Sequence, residues 1–275
     1  MKHRTAHVLP GFGLSFGITV SGISLMVLVP IGALLLEASG MSPATFIEEA
    51  FSERALLAYR LTIGTAFCAA GINAAVGVLI AWTLTRYDFP GKRFLDGIVD
   101  LPFALPTAVA GITLATLYST NGWIGSLFAG WGIKIAFTPI GILLAMVFTG
   151  MPFVIRSVQP VLEEFDPAHE EAAASLGAKP ATVFRRVILP GLLPAILTGF
   201  SLAMARGLGE YGSVIFIAGN LPYQTEVSSL LIVAQLEEYD YFGATAIAVV
   251  MLVVSFLLLL LLNLAGRILP STEEK

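Results

Sequence analysis

Long apolar runs separated by short polar stretches dominate this chain. A helix crossing a hydrocarbon layer of about 30 Å needs about 20 residues, nearly all uncharged. Leu14 to Leu36, Leu61 to Thr85, Ile135 to Ile155 and Tyr241 to Gly266 each satisfy that requirement. The uncharged stretch Leu101 to Ile133 is too long for one helix. Its turn-forming segment Ser119 to Trp123, followed by Gly125, Gly130 and Gly132, predicts a helix ending near Tyr118 and a loop after it. A further helix is expected from about Pro190, with Arg206 and Glu210 as its only charges. The pattern therefore predicts an all-α integral membrane protein with six transmembrane helices.

Composition agrees. Of 275 residues, 56% are hydrophobic and 12% charged, and the mean hydropathy of +0.85 lies outside the range of soluble domains. Lysine and arginine accumulate on the cytoplasmic side of membrane proteins. With the amino terminus inside, that side holds eleven: Lys2, Arg4, Arg86, Lys92, Arg93, Arg156, Lys179, Arg185, Arg186, Arg267 and Lys275. The outer side holds Arg54, Arg60 and Lys134, and Arg206 lies within the membrane. Both termini are thus expected in the cytoplasm, with outer loops near 38–58, 119–136 and 219–240. The first apolar run follows a basic patch, as a secretion signal would, but it is longer than a signal core and no small-residue cleavage site follows it, so it reads as a retained span. The single cysteine, Cys68, sits in an apolar run and reads as a buried small hydrophobe, which excludes a disulfide framework.

Against this background the polar stretch Glu163 to Pro190 stands out. Asp166 suits an N-cap, Pro167 the first helical position and Gly177 the left-handed residue beyond the end, which predicts a short helix over 167–176. Glu170 and Glu171 lie toward its positive end, and Ala172, Ala173 and Ala174 give it a surface that another protein can approach closely. A second helix is expected from Pro180 through Arg185 and Arg186, with Pro190 restarting the chain at the membrane surface. The short helix would then project like a handle between two membrane segments.

Enzymatic readings find little purchase. His3, His7 and His169 are not spaced as metal ligands with carboxylates, and no GxxxxGK[ST] stretch is present for binding nucleotide phosphates. The handle, by contrast, fits a specific pattern. Glu171-Ala172-Ala173, three residues, Gly177, nine residues and then Val187-Ile188-Leu189-Pro190 reproduces EAA-x3-G-x9-I-x-L-P, with valine in place of the first isoleucine. In this it resembles the permease subunits of ABC importers, whose EAA loop docks into a cleft on a cytoplasmic ATPase. The stretches VLPGFGLSFG (8–17), RYDFPGKRFLDGIVDLPFALPTAVAGITLA (86–115), MPFVIRSVQPVLEE (151–164) and RGLGEYGSVIFIAGN (206–220) are similar to the T-type permeases of sulfate/thiosulfate importers.

The resemblance implies a type I ABC importer permease architecture in a bacterial inner membrane. Its expected partners are two ATPase subunits that bind ATP and magnesium, a second, W-type permease, a periplasmic sulfate-binding protein, sulfate or thiosulfate, and membrane lipid. No cofactor in this chain and no nucleic-acid partner are expected. It assigns ATPase coupling to Glu170, Glu171, Ala172, Ala173, Gly177 and Pro190. The expected divisions are an N-terminal segment with the first helix and outer loop (1–56), a transmembrane domain (57–267) carrying the coupling loop 163–190, and a cytoplasmic tail (268–275). Alternatives are a W-type sulfate or a molybdate permease and, from other classes, a secondary anion transporter or a membrane-embedded enzyme. A secondary transporter is expected to show mid-membrane carboxylates or an inverted repeat, and neither is evident.

Four further features bear on the transport path. Arg206 and Glu210 are four residues apart and can pair; they lie in the outer part of the membrane, about 24 Å from Pro190. They read either as a packing ion pair or as a latch at the outer gate. Pro102 and Pro106 break the third span near its inner end, either as a kink at the start of the helix or as a bend lining a cavity. Small residues form two faces on the helix after Pro190: Gly199, Ala203 and Gly207, and Ser201, Ala205, Gly209 and Ser213. One is expected to pack inside the subunit and the other against the second permease. Asp96 and Asp100 are expected in solvent or paired with Lys92 and Arg93.

Overall fold

The computed structural model describes residues 11–268. The basic residues Lys2 and Arg4, together with His3, His7 and the expected tail after 268, lie outside this range. Among the described residues every regular element is helical: α1 Phe12–Ser39, α2 Pro43–Ala50, α3 Glu53–Arg86, α4 Lys92–Val99, α5 Leu101–Ala104, α6 Thr107–Tyr118, α7 Gly125–Ala129, α8 Pro139–Glu164, α9 Pro167–Ser175, α10 Pro180–Leu208, α11 Val214–Ile217, α12 Ser228–Glu237 and α13 Tyr241–Ile268. Five of them, α1, α3, α8, α10 and α13, are long and apolar enough to cross a membrane.

The third expected span is built from pieces. Pro106 forces the residue before it out of helical geometry, and Leu105 is extended at φ −84°, ψ 134°. A one-turn α5 and a 12-residue α6 result. Alone, α6 rises about 18 Å, well short of the hydrocarbon thickness. Pro106 thus produces a discontinuous helix rather than a bent one, while Pro102 sits in the first turn of α5, where a proline is tolerated.

Two other prolines act differently. Pro30 and Pro190 each lie just after a wide π-turn, Ser24–Leu28 in α1 and Phe184–Ile188 in α10. A proline ring clashes with the carbonyl four residues earlier and supplies no N–H; widening the preceding turn relieves both problems and lets the helix run on. Pro190 therefore does not restart the chain, as the sequence had suggested. It lies inside a 29-residue helix that begins at Pro180.

The core is a bundle of α3, α8 and α10. Small residues make it close. Ala58, Ala66, Ala69, Ala70 and Ala81 of α3 are buried, and a β-carbon on Gly199 would stand 2.7 Å from the α-carbon of Val154. In lipid, where burying apolar surface gains nothing over contact with acyl chains, such close packing holds helices together. The Gly199, Ala203 and Gly207 face is the one used here, against α8 and α3. The other stripe is interrupted, because α10 ends at Leu208 before reaching Gly209 and Ser213. Its Ala205 and Gly209 border a cavity of about 400 Å³ shared with Leu34 of α1 and Met251 of α13. The first helix, α1, buries none of its residues within the chain and packs through its second half on α13. Cys68 is exposed on the surface of α3 rather than buried.

Candidate functional site

The handle forms as its punctuation dictates. Asp166 caps α9, its Oδ1 accepting from the Ala168 N–H at 2.9 Å, and Pro167 opens it. At the far end Gly177 turns left-handed (φ 81°). Its N–H donates to Ala174 O at 2.9 Å, and the Ala178 N–H donates to Ala173 O at 3.1 Å. This double closure is a Schellman motif, which satisfies the last carbonyls of the helix. One face is docked on the chain, with Glu170, Ala173 and Ala178 half-buried. Glu171, Ala172, Ala174 and Ser175 are exposed, and Leu176 is 89% exposed at the tip. The open face of α9 therefore carries an acid, small residues and one apolar side chain.

Glu170 is not part of that open face. Its Oε1 accepts from Arg86 Nη2 at 2.5 Å. Arg86 ends α3, with its guanidinium 5.2 Å from the centre of the Trp82 ring, and Trp82 meets Phe184 of α10 edge-on at 5.5 Å. Sequence reading missed this contact. The one hint was that Arg86 closes an otherwise uncharged run at the end where the helix dipole favours a cation.

The start of the discontinuous span is also clasped by charge. Arg156 of α8 donates through Nε and Nη2 to Asp100 at 2.9 and 2.6 Å and through Nη1 to Asp96 at 2.7 Å. These two-point contacts with a planar guanidinium hold both position and angle, and they keep the Asp100 carboxyl below its ordinary range. Lys92 pairs instead with Asp88, so the partner of both aspartates is Arg156 and not the neighbouring Lys92 and Arg93. The spacing of about sixty residues hid this pairing from local reasoning.

Farther along the molecule, Arg206 and Glu210 pair as expected. They do so across a helix end rather than along a helix face, since α10 stops at Leu208. Glu210 is 1% exposed. Its Oε1 accepts from the Ser213 N–H at 2.9 Å and the Ser213 hydroxyl at 2.8 Å, while its own carbonyl accepts from Ser229 Oγ at 2.7 Å. The carboxylate thus organises the turn between α10 and α11. That turn lies directly on the break in the third span: a β-carbon on Gly212 would be 2.1 Å from Thr107 Oγ1, and one on Gly111 2.4 Å from Ser213 O. Two interrupted helices cross close to their interruptions. The turn that Glu210 organises and the break at Pro106 are brought to one place, whereas Pro102 lies one turn away in α5, whose Phe103 meets Phe153 of α8 edge-on.

The opposite end of α3 is pinned as well. Arg54 Nε and Nη2 donate to the two carboxylate oxygens of buried Glu226 at 2.8 and 2.7 Å. Two turns on, the Ser228 N–H donates to Thr62 Oγ1 at 2.8 Å. Since α3 has 34 residues and spans about 50 Å, the Arg54 and Arg86 pairs stand at opposite ends of the molecule. The 86–97 loop and the handle share one end, as expected from the distribution of basic residues.

Comparison with known proteins agrees with this architecture. Residues 73–271 match the family described as the binding-protein-dependent transport system inner membrane component. The chain is 50% identical over 256 residues to the sulfate transport system permease protein CysT of Salmonella typhimurium, covering 93% of this chain and 92% of that one. It is 50% identical to CysT of Synechococcus elongatus, covering 88% and 87%. Among solved structures, a bacterial ABC transporter involved in the import of the acidic polysaccharide alginate has the same fold, with a TM-score of 0.75 at 18% identity over 92% of this chain and 95% of that one. With most of its length matched, and with a capped helix exposed between two membrane segments, this chain belongs to the family of binding-protein-dependent transport system inner membrane components and has the fold of an ABC importer's membrane subunit.

Proposed function

We propose that this permease carries sulfate or thiosulfate across the bacterial inner membrane as one of two transmembrane subunits, its counterpart being a W-type chain. A periplasmic binding protein delivers the anion, and two cytoplasmic ATPase subunits bind ATP and magnesium and do the hydrolysis. The termini lie in the cytoplasm. The observation that carries the coupling role is the open face of α9: Glu171, Ala172 and Leu176 exposed on a helix closed at both ends. Small residues permit close approach, and Glu171 offers a charge for a basic group across the interface. The EAA pattern assigns coupling to Glu170, Glu171, Ala172, Ala173, Gly177 and Pro190; of these, Glu171 and Ala172 offer the docking face, Glu170 and Ala173 fix α9 to its own chain, Gly177 closes the helix and Pro190 lies within α10. The names of relatives at 50% identity support the oxyanion class of the cargo.

On the path itself, the Arg206–Glu210 pair acts as the latch of the outer gate, with Pro106 at the break it rests against and Pro102 on the inner side. A lone cation there would retain a divalent anion, so pairing it with a carboxylate permits release. Alternating access then follows from ATP-driven displacement of α9, which favours one of two arrangements of the bundle.

The test is reconstitution of the permease pair with its ATPases in vesicles, loaded sulfate-binding protein outside and ATP inside. Radiolabelled sulfate accumulates only with ATP, and thiosulfate competes. Reversing the charge at Glu171 abolishes accumulation. Uphill uptake without any ATPase, or labelling of a cysteine at 175 only from the periplasmic side, overturns the proposal.

A further inference from the structure

The coupling helix has little holding it to the rest of the chain. Four of its nine residues are Ala168, Ala172, Ala173 and Ala174, and of these only Ala173 is half-buried. Among the described residues, the Arg86–Glu170 pair is the one hydrogen bond or salt bridge joining α9 to an element remote in sequence, 84 positions away. The element it reaches is α3, which is packed along its length against α8 and α10 and contains no proline.

The two ends of α3 are gripped differently. At Arg54 the guanidinium engages both oxygens of Glu226 through two parallel bonds. At Arg86 only Nη2 reaches Glu170, and Nε is buried without a hydrogen-bond partner. A guanidinium fork that could make two bonds makes one, and the unused N–H is sheltered from water, where leaving it unpaired is costly. Such a contact has a better arrangement available if the carboxylate shifts toward it.

We propose that Arg86 is a positioning residue for energy coupling: it holds α9 against the end of α3 by a single bond here and by two when the ATPases press the handle toward that end. The displacement then reaches α3 as a whole, and through Arg54–Glu226 and Thr62–Ser228 the segment carrying Ser229, which bonds the Glu210 turn. This inference rests on the proposed ATPase-driven mechanism and adds the residue that transmits the stroke within this chain. It differs from the role of Glu171, which faces outward, because Arg86 and Glu170 are 23% and 27% exposed and already engaged with each other.

The experiment uses the complete complex in vesicles and measures sulfate moved per ATP hydrolysed, alongside recovery of ATPase with the permease. Arg86→Gln and Glu170→Gln are expected to lower that ratio about tenfold, with recovery of ATPase within about twofold. The exchanged pair, Arg86→Glu with Glu170→Arg, restores the ratio to within about threefold, and Arg86→Lys, which keeps charge but has no fork, falls between. A normal ratio in Arg86→Gln overturns the inference, as does an exchanged pair no better than its single variants. If the unaltered complex moves no sulfate with ATP, the proposed function itself fails and this inference with it. If the unaltered complex works and Arg86→Gln works equally well, only the inference fails. Should the single variants not assemble, recovery of both assembly and ratio by the exchanged pair still supports it, and recovery of assembly without the ratio refutes it.

Discussion

Gly111 of α6 and Ser213 of the α10–α11 turn touch backbone to backbone, so closely that no side chain fits between them. An added β-carbon would stand 2.4 Å from the Ser213 carbonyl oxygen and 2.7 Å from its α-carbon. Both obstacles are main chain, and neither can swing aside. Gly111→Ala is therefore expected to push apart the two interrupted helices near the Arg206–Glu210 pair, while Gly64→Ala on α3, which has open space around it, is expected to be silent. Backbone shifts of this kind cost about 1–3 kcal/mol. Sulfate uptake normalised to the amount of permease in the membrane should fall at least about fivefold in the first variant and stay within about twofold in the second.

Glu210→Gln tests the gate. The carboxylate has one oxygen occupied by Ser213 and the other facing Arg206. The amide can keep the first role, but its NH₂ group then meets a guanidinium that has only donors to offer. Arg206 is about a third exposed on its side chain, so it keeps some hydration and the loss is smaller than the roughly 3–5 kcal/mol of a fully buried broken pair. Uptake should change about tenfold while the complex still purifies in near-normal yield. Normal uptake, or loss of the complex itself, would remove the gate role.

Much of this arrangement was legible beforehand, and the reasons are local. Helices spanning a membrane must satisfy their own backbone hydrogen bonds, so composition alone located α1, α3, α8, α10 and α13. The handle was legible because Asp166, Pro167 and Gly177 each act within a few residues of themselves. What stayed hidden depends on contacts far apart in sequence. Arg156 with Asp96 and Asp100, Arg54 with Glu226, and Arg86 with Glu170 join elements that no spacing rule connects. Pro190 was misread for another reason. A proline can end a helix or sit behind a π-turn, and only the hydrogen bonding of Phe184–Ile188 tells which.

Gly177 separates backbone geometry from docking. Its φ of 81° carries the Schellman closure of α9, and nothing lies within 4 Å of the position a β-carbon would take. Any defect in a substituted chain therefore comes from conformation and not from collision. A β-branched residue pays about 1–2 kcal/mol or more in this region, and asparagine pays less. We expect sulfate uptake to fall in the order glycine, asparagine, alanine, valine, with Gly177→Val lowest by about tenfold. Equal activity of the asparagine and valine variants would show that the turn is dispensable.

Asp100 gives a pH-dependent signature. Arg156 lowers its pKa below the ordinary 3.8, chiefly through the side-chain hydrogen bond. A carboxyl with a depressed folded-state pKa binds protons more readily when unfolded. Its contribution to stability is therefore complete above pH 3.8 and is lost as the pH falls through the lower folded value. Asp100 is partly exposed, so solvent screening makes the contribution small. Thermal unfolding of the detergent-solubilised complex should show Asp100→Asn less stable than the parent at pH 7, with the gap unchanged down to about pH 4 and narrowing below it. Arg156→Gln should show the same narrowing, because it removes the other half of the same contact, and the double variant should be no less stable than the worse single one. A gap that persists unchanged at pH 3 would mean that Asp100 stabilises the α4–α5 junction by shape rather than by charge.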